Sequence, residues 1–274
     1  MSSEHQVFRT EKKDRVFWVV MNNPEKRNAM GDRFWKELPE VFAEASADTH
    51  TRAVVLAAEG KSFCAGIDFM ALGSELPMLM SGEPGGRPKQ QFIEVIRRFQ
   101  AIGAAPERCR KPVIAAIHGH CIGGGLDLVA ACDIRLASRE AILSLREAAM
   151  AMVADLGSLQ RLATIIGEGM VRELAFTAGD VTAERALSMG LLSSIHEDRD
   201  ALWEAAQAMG EIIAQNSPIA VETTKEVLNW GRGKPVEDGL EYAAVRQAHM
   251  IPNPDLMEAM AAFATRRKPS FGDD

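Results

Sequence analysis

The chain has 274 residues, of which 47% are hydrophobic, 6% aromatic and 25% charged. A globular chain of this length buries roughly three quarters of its unfolded surface, so neither disulfides nor a structural metal are required to hold its core. With 31 Lys and Arg against 38 Asp and Glu, the formal charge of −7 has the wrong sign for a nucleic-acid binder, although a local basic cluster could still hold an anionic ligand.

The opening MSSEHQVFRTEKKDR has no apolar segment behind its charges, and no run of about 18 apolar residues follows. The end, FATRRKPSFGDD, carries neither a peroxisomal tripeptide nor a prenylation box. These features predict a soluble, cytoplasmic protein with no membrane partner. Cys64, Cys109, Cys121 and Cys132 form no CxxC pair and are expected as reduced, buried thiols. His118 and His120 flank Cys121, but no second pair completes a four-ligand set, so no metal site is expected.

In chain order, RVFWVVM at 15–21 reads as a buried strand broken by NNPEKRN. A helix over 31–47 follows, with Phe34, Leu38, Val41, Phe42 and Ala45 on one face and Pro39 expected to kink it or shift its start. RAVVLAA at 52–58 is a second strand and leads through KSFCAGIDFMAL. Residues 74–90, rich in Gly, Pro and Met, read as a lid or loop. Residues 92–108 read as a helix and KPVIAAIHG as a strand. GGGLDLVAACDIRLAS then supplies glycines, an apolar helix and a short strand. Helices alone are expected after 168, near 168–177, 182–189, 198–215, 217–231, 235–249 and 253–264. Strands alternating with helices, then helices alone, predict an α/β core followed by a helical tail.

Gly123, Gly124 and Gly125 stand between a strand and a helix. Their order fits neither a dinucleotide-binding turn nor a Walker loop. Close helix–strand packing accounts for them, and so does a donor pocket for an oxyanion, with the Ala65-Gly66 turn offering a second N–H. Three acids lie in apolar surroundings: Asp127 in GGGLDLVAA, Glu147 in LSLREAAMAM and Asp155 in MAMVADLGSL. Each also has a structural reading. Asp155 could cap the helix that follows it, Asp127 could pair with Arg135 or Arg161, and Glu147 could be a solvated charge. Asp133 and Arg135 read as a structural pair or turn, and Asp68 as the cap of a short helix.

At this point the sequence resembles the crotonase (enoyl-CoA hydratase/isomerase) superfamily. The resemblance rests on NNPEKRNAM, SFCAGIDF, KPVIAAIHGHCIGGGLDLVAACDIRLAS, LGSLQRL and MAAFATRRKPSF. It implies a spiral of ββα units over 1–200 that carries the active site, and a helical trimerisation region over 201–274. It also implies an acyl-CoA thioester substrate, no cofactor beyond the substrate's own CoA, and a homotrimer or dimer of trimers. The family pattern puts the oxyanion donors at the amides of Ala65 and Gly124. CoA contacts fall to Lys26, Arg27, Ala29, Ala65, Gly66, Ile67, Asp68, Arg267 and Lys268.

Hydratases of the family carry a Glu just after the triple glycine, where this chain has Asp127, one methylene shorter; the later Glu is kept as Glu147. The added Asp155 resembles the branch that isomerises 3,5-dienoyl-CoA to 2,4-dienoyl-CoA. Carbons 2 and 6 lie about 5 Å apart, too far for one short side chain. Glu147 is therefore expected as the base at carbon 2 and Asp155, kept neutral by desolvation, as the acid at carbon 6, with Asp127 auxiliary. A 2-enoyl-CoA hydratase, a Δ3-Δ2 isomerase and a non-catalytic acyl-CoA-binding or assembly protein are the alternatives.

Overall fold

The computed structural model describes residues 5–71 and 86–273. Its frame is two β-sheets. β1 (Phe8–Lys13) and β2 (Val16–Met21) form an antiparallel hairpin. Parallel pairing then adds β3 (Ala53–Ala58), β4 (Val113–Ile117), β6 (Ile134–Ser138) and β9 (Ser194–His196), giving the order β1-β2-β3-β4-β6-β9. A second sheet, β5-β7-β8, comprises β5 (His120–Ile122), β7 (Ile142–Ser144) and β8 (Val181–Thr182).

Because side chains alternate across a pleated strand, β2 feeds two cores. Phe17, Val19 and Met21 join the main core with α1 (Asp32–Ala47), whose Phe34, Trp35, Leu38, Val41 and Phe42 face inward. Val16, Trp18 and Val20 turn to the other face of the sheet and meet Leu202 and Ala206 of α8 (Arg199–Ala214). There the Trp18 indole donates to Gln207 Oε1 at 2.7 Å, which satisfies the polar atom of a buried ring.

The remaining helices are α2 (Gly86–Gly103), α3 (Ala105–Arg108), α4 (Gly124–Ala130), α5 (Ser158–Ile166), α6 (Glu168–Thr177), α7 (Ala183–Ser188), α9 (Pro218–Gly231), α10 (Val236–Met250) and α11 (Pro254–Ala264). A buried ammonium is among the groups that fasten the tail beside the sheet. Lys225 Nζ of α9 donates to the carbonyls of Pro106 and Lys111 and to Asp133 Oδ2, at 2.8, 3.0 and 2.7 Å.

Several expectations are corrected. β1 was missed because FRTEKK is a polar strand on the sheet edge, without an apolar run. α1 passes unbroken through Pro39 and its start is not shifted. The expected single helix over 92–108 is two, α2 and α3, with Pro106 in the first turn of α3. Residues 86–90, expected in the loop, already belong to α2; the rest of that loop, 74–85, lies outside the described residues. The helices after 168 are interrupted by β8 and β9. Asp133 and Arg135 do not pair: Asp133 takes Lys225 and the Val113 amide, while Arg135 donates to the carbonyls of Leu191 and Cys132.

Candidate active site

β5 and β7 run side by side with Ile122 opposite Ser144, and that register delivers the glycines and the first acid to one place. Past the end of β5, the Gly123 amide donates to the Ser144 carbonyl at 2.9 Å. Gly123 has a φ of 54°, and a Cβ there would lie 3.1 Å from Glu147 Oε1, so the missing side chain is what makes room for the carboxyl. Gly124 opens α4, and its amide has no backbone acceptor among the described residues, as the first turn of a helix dictates.

Ala65 is exposed and its amide donates to the Arg27 carbonyl at 3.0 Å. Of the two amides expected to form an oxyanion hole, only that of Gly124 is therefore free of a backbone acceptor; the one at Ala65 is shared with the 24–30 loop. Buried Asn28 holds that loop: its Nδ2 donates to the carbonyls of Glu59 and Ser62 at 2.8 and 2.9 Å, and its Oδ1 accepts from the Asn23 amide. Asn28 adopts a φ of 54°, a conformation that Asn tolerates better than other residues with a side chain.

The three acids have different surroundings. Asp127, one turn into α4 and only 3% exposed, accepts the Ser158 amide on Oδ1 at 2.6 Å. Capping the first turn of α5 thus falls to Asp127 and not to Asp155, and neither Arg135 nor Arg161 is its hydrogen-bonding partner. Burial pushes the Asp127 carboxyl up to about 6, against the lowering effect of Ser158. Glu147 opens a short 3-10 turn, Glu147–Met150. Its Oε2 is buried with no hydrogen-bond partner among the described residues, which excludes the reading as a solvated charge. Burial, with the nearby charges of Asp127 and Asp155, raises Glu147 to about 7.

Asp155 is half-buried on the turn before α5, and burial raises its carboxyl as well. Among the described residues its side chain forms no ion pair. It lines a cleft of about 670 Å³ with Gln100, Leu156, Arg161 and Arg232. Desolvation thus acts on all three acids, and Asp155 is not singled out as the sequence suggested. A wider cleft, about 1110 Å³, lies between α3, α9 and α10 around Trp230 and Tyr242 and contains none of the three.

The expected CoA contacts divide into two groups. Lys26, Arg27, Ala29, Ala65, Gly66, Ile67 and Asp68 are brought together by a backbone bridge between Met30 and Ile67. Lys26 Nζ meets Asp68 Oδ2 at 3.2 Å, and Asp68 Oδ1 accepts the Ala71 amide, capping the 3-10 turn Phe69–Ala71 as expected. Arg267, in contrast, is held by both oxygens of Glu258 at 2.6 and 2.8 Å, and Lys268 lines another cleft with Asp14, Arg15 and Phe271. Within one chain these two do not join the first group. No cluster of His, Cys, Asp or Glu suited to a metal occurs among the described residues, and all four cysteines are free and buried.

The α/β fold sets three acids within electrostatic reach of one another, with the free Gly124 amide at the start of the helix that carries Asp127, and this arrangement is that of an acid–base enzyme. The family model for enoyl-CoA hydratase/isomerase matches residues 11–274, and the chain belongs to that family. It is 42% identical over 259 residues to the mitochondrial Delta(3,5)-Delta(2,4)-dienoyl-CoA isomerase of Mus musculus, covering 94% of this chain and 79% of that protein. To the peroxisomal enzyme of the same name from Arabidopsis thaliana it is 40% identical, covering 97% and 96%. The solved enoyl-CoA hydratase of Bacillus anthracis superposes with a TM-score of 0.87 at 28% identity, covering 98% of this chain and all of that one. Among the described residues no helix is long and apolar enough to cross a membrane.

Proposed function

We propose that this protein isomerises 3,5-dienoyl-CoA to 2,4-dienoyl-CoA. The observation that carries the reading is Asp155: a third acid, half-buried, without an ion-pair partner among the described residues and open to a cleft, in a chain whose relatives at about 40% identity bear that activity in their names.

The Glu147 carboxylate takes a proton from carbon 2, and the electrons of that C–H bond enter a conjugated enolate whose charge rests on the thioester oxygen. The amide of Gly124, with that of Ala65 shared from Arg27, stabilises this oxygen; one such donor is typically worth about 3 kcal/mol in the transition state. Protonated Asp155 gives its proton to carbon 6, leaving double bonds at carbons 2 and 4. Glu147 then releases one proton and Asp155 takes one up, so none is consumed. A seated acyl chain removes water from half-buried Asp155 and favours its neutral form further. Asp127 holds the turn before α5 through Ser158 and adds its charge beside Glu147. CoA phosphates are met by Lys26 and Arg27, and by Arg267 and Lys268 of a neighbouring subunit in a trimer or paired trimers. The proposal places the core in 1–200, the assembly region in 201–274 and the protein in the cytoplasm.

Purified protein given 3,5-octadienoyl-CoA should develop the absorbance of the 2,4-dienoyl thioester. Asp155→Asn should lower the rate by about 10²- to 10⁴-fold, as expected for loss of a general acid. Hydration of a 2-enoyl-CoA much faster than diene isomerisation would overturn the reading in favour of a hydratase.

A further inference from the structure

Among the described residues Asp155 has no ion-pair partner, although a guanidinium lines the same cleft. Arg161, on α5, folds back over the turn that carries the acid. Its Nη1 donates to the Leu156 carbonyl at 3.1 Å and covers Gly157, where a Cβ would collide with it. Arg161 and Asp155 line the same cleft, and the Leu156 carbonyl is one residue from Asp155.

What occupies Arg161 instead is Glu107 of α3. Both Nε and Nη2 donate to Glu107 Oε2, at 3.0 and 2.6 Å. The other oxygen, Oε1, is taken by Arg232, just beyond α9. Glu107 is thus saturated by two guanidinium groups from two parts of the chain, and only part of it is exposed. Burial pushes its carboxyl up, but the two arginines outweigh this and hold it below its ordinary range, so it keeps its charge at neutral pH. The charged groups around Asp155 are Glu107, Arg161 and Arg232 on the cleft wall, with Asp127 and Glu147 behind. Arg161 is the cation of this set that reaches the Asp155 turn.

We propose that Glu107 is a positioning residue for the acid at 155: by engaging Arg161 it denies Asp155 a guanidinium partner and leaves that carboxyl able to carry a proton. The inference rests on the isomerase reading. An Asp beside a free Arg is held ionised, typically by one to three pH units below its ordinary pKa, and an ionised Asp155 has no proton for carbon 6.

The experiment compares Glu107→Gln, Glu107→Asp and the double variant Glu107→Gln/Arg161→Met with the parent on 3,5-octadienoyl-CoA. Glu107→Gln should lower kcat by about tenfold or more with KM little changed, and its basic limb should move about one pH unit toward acid. Glu107→Asp should keep the parental profile. The double variant, although it lacks more hydrogen bonds, should regain most of the lost kcat, because the guanidinium that reaches the Asp155 turn is gone, while Arg232 stays just beyond α9. A merely structural Glu107 predicts the opposite order, with the double variant the worse of the two. A double variant no faster than Glu107→Gln, or a Glu107→Gln with the parental rate and profile, overturns the inference. Asp155→Asn measured in parallel separates the two levels. If it keeps the diene activity, the isomerase roles and this inference fall together; if it is inactive while Glu107→Gln is parental, only the inference falls.

Discussion

Glu147→Gln should stabilise the protein above neutral pH, and the size of the effect follows from where its carboxyl sits. In the unfolded chain Glu147 loses its proton near 4.5; in the folded protein burial delays this to about 7. Between those values the folded state binds more protons than the unfolded state, so stability falls as pH rises through the window and is flat above it. At about 1.4 kcal/mol per pH unit the full cost is roughly 3 kcal/mol. Solvent screening of the exposed part of the side chain reduces it to about 2 kcal/mol. Gln keeps the shape of the side chain and discards the charge, so it removes this cost at pH 8 and changes little at pH 4.5. The assay is urea unfolding of parent and variant at both pH values and one fixed protein concentration, since assembly would make stability depend on concentration. A variant no more stable than the parent at pH 8, or one stabilised equally at both pH values, would refute the argument.

Two further outcomes are expected, one at Glu147 and one at Lys225. The acid limb of kcat/KM should bend near pH 7, with activity falling as pH drops, because Glu147, the proposed base at carbon 2, must be ionised and is raised to about 7; a limb flat down to pH 5 would assign the base elsewhere. Lys225→Met should cost about 3 kcal/mol in urea unfolding, because it strands Asp133 and the carbonyls of Pro106 and Lys111 that its ammonium bridges. Adding Asp133→Asn should recover part of that loss, and complete additivity of the two substitutions would argue against the bridge.

Much of the frame was legible because its elements have one dominant signal. RVFWVVM and KPVIAAIHG are apolar runs that only a sheet covered on both faces can bury, and helix 168–177 has a clean apolar face. β1 was not legible, since at a sheet edge its charged residues cost nothing and leave no pattern. At the site, the acids stood out as charges among apolar neighbours, which is a local property. Their partners did not. That Asp127 caps α5 depends on a contact 31 positions along the chain, and that Glu107 takes Arg161 depends on one 54 positions away. The role of Asn28 has a faint sequence trace, an Asn just after a Pro-containing turn, but its three backbone partners become visible only once the strands are paired. The Arg27 carbonyl on the Ala65 amide was beyond reach for the same reason.

The pairing of Gly123 with Ser144 has a mechanical consequence. The free amide at 124 directly follows one of these residues and the carboxyl at 147 lies three positions past the other, so the gap between them is spanned by a single rung of the β5–β7 ladder. Thermal motion therefore carries the two groups together, as fixtures bolted to one plate, while Asp155 rides on a separate turn. Under the proposed roles, acyl chains of different bulk are accommodated by shifts at the Asp155 end without detuning the distance over which the first proton moves.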